Sequence, residues 1–302
     1  MHAATVTPQR VDGTLIAGRA AEYLELTKPR LTSLVLLTTL VGFHAASRSP
    51  LDVRLLMHTL IGTALVVAGA AVLNQYLERD VDALMRRTAG RPIPSGRVAP
   101  EDALAFGVLL SIAGLLYLAA GVRLIAALLA ALSLGAYLFA YTPMKRRTSL
   151  CTLVGGIPGA LPPMIGWAAA RGTLEGGAWI LGAILFLWQQ PHFLAIAWLY
   201  REDYAAAGLP MLPVVDDGGR STGRQAMLYA LALVPVSLLP VMHGYAGSSY
   251  FAGALLLGCL FFACGAALAA ARSHAAARRL FLASLAYLPA LLLCLALNKL
   301  PV

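Results

Sequence analysis

Apolar residues in this chain fall into long unbroken runs separated by short polar stretches. Runs of about 17–25 residues are long enough to cross a bilayer as helices. On that criterion the sequence predicts nine spans, at residues 31–46, 55–77, 103–120, 122–141, 152–170, 178–199, 225–243, 249–270 and 280–298. The first is short and follows Lys28-Pro29-Arg30. The third and fourth are separated only by a tight turn at Gly121-Val122-Arg123. None of the 14 Asp and Glu residues interrupts a long run. The pattern predicts an all-α, polytopic membrane protein with nine transmembrane helices, a segment 1–30 preceding one intramembrane domain over 31–302.

Composition agrees. The chain is 59% hydrophobic and 12% charged, against about 25% charged in soluble domains, so it has too little polar surface to cover a globule in water. Cys151, Cys259, Cys264 and Cys294 form no CxxC pair and lie in or beside apolar runs, which predicts small buried hydrophobes and neither a disulfide nor a zinc framework. Residues 1–30 lack the apolar core of a signal peptide. Their Asp12, Glu22 and Glu25 argue against an organellar transit peptide, and the short stretch before the first span leads us to expect a bacterial cytoplasmic (inner) membrane. With nine spans, one side carries 18 of the 23 Lys and Arg residues, and the positive-inside rule makes that side cytoplasmic. The net charge of +9 is then an orientation signal and an attraction for anions, and requires no nucleic acid.

The acids are more informative than the bases. Asn74, Glu78 and Asp82 recur at i, i+4 and i+8, one face of a helix at the end of the second span. Asp80 lies among them, and Arg86, Arg87, Arg91 and Arg97 follow directly. A carboxylate row beside an arginine cluster at a membrane mouth suits a divalent cation gripping a polyphosphate, since Mg²⁺ takes oxygen ligands from one or two carboxylates plus substrate phosphates. The sequence also echoes itself. Leu77-Glu78-Arg79-Asp80-Val81-Asp82-Ala83 resembles Leu199-Tyr200-Arg201-Glu202-Asp203-Tyr204-Ala205, 122 residues and four spans later. Four spans restore the direction of the chain, so the echo fits a pseudo-repeat of two four-helix halves plus a ninth helix, with both acidic loops facing a central cavity.

Polar residues inside spans are candidates for function. The sixth span holds Trp188-Gln189-Gln190-Pro191-His192-Phe193, which predicts a kinked, wet helix. His192 there lies roughly 12 Å of helix rise below Tyr200. The fifth span opens with Lys145-Arg146-Arg147 and contains Gly155, Gly156, Pro158, Gly159, Pro162 and Pro163, expected to break or bend it. Lys145 and Arg146 suit a diphosphate as point-charge and forked donors. His44, His58, His243 and His274 lie near span ends and read as structural.

The stretch from Asn74 to Thr88, then Arg91-Pro92 and Gly96, resembles the first motif of the UbiA-type intramembrane prenyltransferases. More narrowly it is similar to their protoheme IX farnesyltransferase (heme O synthase) family. The similarity extends to Leu26–Arg30, Tyr141–Arg146, Trp188–Phe193 and Asp203–Pro213, five motifs in family order. The resemblance implies a nine-helix bundle around a lipid-accessible cavity capped by two acidic loops. It implies transfer of farnesyl from farnesyl diphosphate to a vinyl group of heme b, with water added, to give heme O. It further implies Mg²⁺, with Mn²⁺ as the alternative, on Asn74, Glu78 and Asp82. Arg86, Arg87, Arg91, Lys145 and Arg146 would hold the diphosphate, and His192 would act as an axial heme ligand or as a base. Partners implied are the lipid bilayer and, downstream, heme A synthase or terminal oxidase assembly factors. One departure stands out: where the wider family has two aspartates in its second motif, this chain has Tyr200 and Tyr204, with Glu202 and Asp203 nearby. Rival readings are a prenyltransferase for an aromatic or quinone-precursor acceptor, and a transporter. The transporter would need charges near the midplane, whereas the carboxylates here keep to one face.

Overall fold

A computed structural model describes residues 13–48 and 50–300, so Asp12 and the first part of the N-terminal segment lie outside the described residues. Among the described residues no strand forms. The long helices are α1 (Gly13–Leu26), α2 (Pro29–Ala46), α3 (Val53–Asp82), α4 (Pro100–Gly121), α5 (Leu124–Met144), α6 (Cys151–Arg171) and α7 (Gly176–Leu199). After two short helices, α8 (Arg201–Ala206) and α9 (Leu212–Val215), come α10 (Arg220–Met242), α11 (Ser248–Ala271) and α12 (His274–Leu297).

Each of the nine predicted spans is a helix. Eight of them, from α3 onward, are long and apolar enough to cross a membrane, which makes this a multi-pass membrane protein. The exception is α2, whose 18 residues begin Pro29-Arg30 and include three threonines and His44. Its Thr38 and Thr39 hydroxyls donate back to the Val35 carbonyl and are buried. This helix packs on α6.

The bundle is layered by apolarity. Helices α6 and α7 are the least apolar of the eight and the most buried, whereas α4, α5 and α11 turn Leu109, Leu116, Phe139, Leu256 and Leu260 outward. Close approach replaces oiliness inside. A Cβ on Gly42 would strike the Pro163 backbone, one on Gly166 the Thr39 carbonyl, and one on Gly159 the Gln189 side chain. Small residues at such crossings are how membrane helices gain packing without a hydrophobic drive.

Two expectations are corrected here. Of the break or bend expected of α6, the break does not occur: Cys151–Arg171 is continuous with Pro158, Pro162 and Pro163 inside. The ring nitrogen of Pro162 leaves the Pro158 carbonyl without its helical donor, and Ser133 Oγ of α5 donates to that oxygen at 3.0 Å. Helix α7 likewise runs through Pro191. Its glutamines are buried and donate to nearby carbonyls, Gln189 to Leu185 at 2.9 Å and Gln190 to Phe186 at 3.2 Å. The four cysteines are free, as expected, but Cys259 is exposed on α11 where a buried position was expected.

The described part of the N-terminal segment is a helix that docks. Leu26 is fully buried with Val72, Ile93, Val98 and Ala103, and Tyr23 meets Phe106 edge-on at 5.1 Å. Arg97 clamps it from the loop after α3, ion-paired to Glu22 and Glu25.

Candidate active site

Helix α3 continues five residues past the predicted end of its span, and that extension carries the acid row. Asn74, Glu78 and Asp82 are exposed by 3%, 4% and 1%, so the polar face of the helix turns inward. Buried charges need partners. Lys145 Nζ reaches both Glu78 carboxylate oxygens at 3.0 Å, and Arg91 ion-pairs with Asp82 Oδ2. Asp82 Oδ1 is buried with no hydrogen-bond partner.

Helix α5 delivers Lys145 through an irregularity. Ala136–Tyr141 is a π-helical turn, and Thr142 Oγ1 donates to the Tyr137 carbonyl five residues back at 2.8 Å. The same hydroxyl accepts from Asn74 Nδ2 at 3.2 Å, which leaves the Asn74 carbonyl oxygen free to face other groups. Such π-bulges recur at functional sites because the extra residue re-aims the side chains that follow. Burial works against the Lys145 ammonium, but the Glu78 carboxylate together with Tyr204 and Tyr137 outweighs it, and the lysine is held above its ordinary range.

Sequence reasoning assigned no site role to Lys28. It caps α2 in a left-handed conformation (φ 48°), unusual for a residue with a side chain. Gln75 of α3 steadies the preceding turn, donating to the Leu26 carbonyl at 2.7 Å. Burial, then the neighbouring Arg91, lowers the Lys28 amine to about 7, with Glu78 and Asp82 pulling the other way. Lys28 therefore belongs to the same charge cluster. Its sequence signals were the Lys-Pro pair before the first span and its place in the Leu26–Arg30 motif.

The remaining arginines divide. Arg146 is committed to Asp80, at 2.6 and 2.8 Å, and to the Leu77 carbonyl, an exposed strut on the outer side of α3. Arg86 is exposed and forms no ion pair among the described residues. Arg87 reaches across to the second loop, its guanidinium 4.9 Å from the Tyr200 ring centre and 3.5 Å from the Tyr204 hydroxyl. The two echoing loops thus meet. In the second, Tyr204 is buried, Asp203 half-buried and Glu202 exposed.

His192 sits apart from these charges, on the side of α7 that packs against α12. Its Nδ1 lies 2.7 Å from Ser284 Oγ, and its ring stacks with Trp188 at 5.0 Å and Phe281 at 5.4 Å. Three of the four histidines read as structural have bonding partners. His44 reaches the Ala296 carbonyl, His58 the Tyr117 hydroxyl and His243 the Leu239 carbonyl.

Among the described residues no three His, Cys, Asp or Glu side chains gather as a metal cluster. What gathers is one amide and two carboxylates, with a buried Asp82 oxygen left open. That set fits Mg²⁺, a hard cation that completes its shell with substrate phosphates, and would not satisfy a metal needing an all-protein cage.

Comparisons with known proteins agree with this geometry. Residues 35–288 match the model of the UbiA prenyltransferase family. A protein of Solibacter usitatus named protoheme IX farnesyltransferase is 53% identical over 277 residues, covering 89% of this chain and 95% of that one. A protein of the same name from Myxococcus xanthus is 45% identical, covering 93% and 96%. Among solved structures, one of digeranylgeranylglyceryl phosphate synthase superposes with a TM-score of 0.79 at 18% identity, covering 93% of this chain and 98% of that one. A UbiA homologue from Archaeoglobus fulgidus bound to GPP and Mg²⁺ superposes at 0.66 with 14% identity, covering 91% and 99%. A buried acid row countered by Lys145 and Arg91, in a helical bundle of this shape and with these relatives, places the chain in the UbiA prenyltransferase family.

Proposed function

We propose that this enzyme transfers the farnesyl group of farnesyl diphosphate to a vinyl group of heme b, with addition of water, to make heme O. The observation that carries the reading is the buried row Asn74–Glu78–Asp82, with its open Asp82 oxygen, ringed by Lys145, Arg91 and Lys28. The shared name of the relatives supports the choice of heme as acceptor.

The residues divide the work. Asn74, Glu78 and Asp82 would hold Mg²⁺, or Mn²⁺ on the same oxygens, and that ion supplies neutralisation of the charge building on the departing diphosphate. Lys145 and Arg91 offer phosphate oxygens the donors they give Glu78 and Asp82 in the free site, and Lys28 adds its charge beside them, so substrate arrives into a field already organised for it. Arg87 closes the mouth from the side of Tyr200 and Tyr204, with Arg86 at the entrance. Arg146 holds α3 through Asp80 and so acts on the diphosphate indirectly. Ionisation breaks the bond to diphosphate and leaves an allylic cation, which the apolar bundle shields from bulk water until the heme vinyl carbon attacks it. The cation this leaves next to the ring is then closed by one water, which adds as hydroxyl and releases a proton. His192 handles the heme. The bundle lies in a bacterial cytoplasmic membrane with both echoing loops on the cytoplasmic side, and lipid on its outer helices. Its product passes to heme A synthase or to terminal oxidase assembly.

Purified protein in nanodiscs with heme b, farnesyl diphosphate and Mg²⁺ should yield a heme heavier by farnesyl plus water, and EDTA should abolish it. Unchanged heme, with farnesyl diphosphate consumed only when an aromatic acceptor is added, would overturn the heme assignment and keep the prenyl transfer.

A further inference from the structure

The hydrogen bonds around His192 determine which of its nitrogens carries the proton. Nδ1 faces Ser284 Oγ at 2.7 Å, and that hydroxyl also contacts the Phe281 carbonyl oxygen one turn earlier on α12. A hydroxyl has one proton, and a carbonyl can only accept. The Ser284 proton therefore goes to Phe281, and Ser284 must accept from His192. The ring proton sits on Nδ1 and the lone pair on Nε2.

The same serine is tied a second time. Trp188, one turn before His192 on α7, donates its indole N–H to the Ser284 carbonyl at 2.9 Å while its ring stacks on the imidazole. Phe281 stacks as well, and Phe193 tilts against the ring at 5.7 Å. Orientation and tautomer are thus both fixed. Nε2 makes no hydrogen bond among the described residues and is not one of the buried unpartnered atoms, so it is open to an incoming group.

We infer that Ser284 is a positioning residue which presents the Nε2 lone pair of His192 to the iron of the heme substrate as an axial ligand. The inference rests on heme being the acceptor, and it chooses between the two roles left open above. A base must keep the proton it takes, and an imidazolium here would have one neutral hydroxyl and three aromatic rings around it. No carboxylate bonds it. A metal ligand stays neutral, and a histidine that donates its other N–H to a fixed oxygen is the usual arrangement around bound metals. Ligation would set the depth of the porphyrin in the bundle, and so which vinyl edge meets the allylic cation.

The test is a heme titration of the full chain in nanodiscs, read by absorption and by resonance Raman of the ferrous iron–histidine stretch, beside the farnesyl transfer assay. Wild type should show histidine-ligated iron. His192→Gly should lose that signature and regain it with added imidazole. Ser284→Ala should weaken heme binding about 10-fold, the scale of lost support to a metal-bound histidine, while Ser284→Thr, which keeps the hydroxyl, stays near wild type. If His192→Gly slows transfer with the iron spectrum unchanged, the residue is a base and the ligand role is overturned. An unchanged affinity and spectrum in Ser284→Ala would remove the positioning role. A wild type that binds no heme yet prenylates another acceptor would bring down the acceptor reading itself, and the ligand role with it.

Discussion

The two echoing loops align residue for residue, and the structure shows them to be chemically opposite. Asp80 and Glu202 occupy equivalent positions and both face outward. The flanking positions differ, and of the second pair only Tyr204 is buried, Tyr200 being 41% exposed. Glu78 and Asp82 in the first loop are carboxylates countered by Lys145 and Arg91, whereas their equivalents, Tyr200 and Tyr204, are aromatic and receive Arg87. The backbones differ too. Helix α3 runs unbroken to Asp82, so i, i+4 and i+8 stay on one face, but α7 ends at Leu199 and Tyr200 leaves the helical region (φ −112°, ψ 24°) before α8 begins. One loop became an ionic site and the other its aromatic wall. The repeat, whose two acidic loops the sequence reads as facing one cavity, therefore holds one buried carboxylate row among the described residues.

The sharpest way to break this comparison is a paired substitution. Asp82→Asn should lower heme O formation about 10²–10³-fold, the usual cost of losing one preorganised charge-stabilising group. Glu202→Gln should change it less than about 2-fold. Equal losses, measured by product mass, would erase the distinction between the loops.

Stability separates the loops next. Lys145→Met leaves Glu78 buried without a counter-charge, a loss of about 3–5 kcal/mol, visible as a lowered melting temperature in detergent. The double variant Lys145→Met/Glu78→Gln should recover most of it. A double variant no better than the single would mean that the pair is not what the melt reads.

Removing the aromatic wall should cost less. Cation–π contacts contribute about 0.5–2 kcal/mol, so Tyr200→Leu should raise the apparent KM for farnesyl diphosphate only by roughly 2–10-fold, with the melt unchanged. No change in KM would leave Arg87 without a tyrosine-dependent role.

A further test is a pH dependence. Lys28 has its amine lowered from 10.5 to about 7 in the folded protein. Between those values the unfolded chain binds more protons, so stability climbs as pH rises through the window from about 7 to 10.5. Lys28→Met should flatten that climb in a series of melts. A variant whose melts track wild type across the window would place the lysine outside the charge cluster.

Much of this was legible in advance because bilayer physics is one-dimensional. Every predicted span is a helix, and the tight turn at Gly121–Arg123 is where it was read. The acid row was legible for the same reason: a spacing of four along a helix is a direction in space. Lys28 was not legible, because its importance depends on a left-handed turn and on α3 lying beside it. Arg146 sits beside Lys145 in sequence, yet consecutive residues on helical backbone point in different directions, so Lys145 turns inward to Glu78 and Arg146 stays outside on Asp80. The continuity of α6 was also hidden, since the donor that completes its carbonyl comes from Ser133 on another helix.

The sequence by itself determined that the chain crosses a membrane, where its helices lie and which residue types gather at one end. Those follow from the cost of an apolar surface in water and from the fixed period of the helix. Tertiary structure decided which of those residues are buried, which cation answers which carboxylate, and which nitrogen of His192 is free. Each of these is a relation between atoms on different helices, and pairing across a bundle is set by packing geometry that no single helix contains.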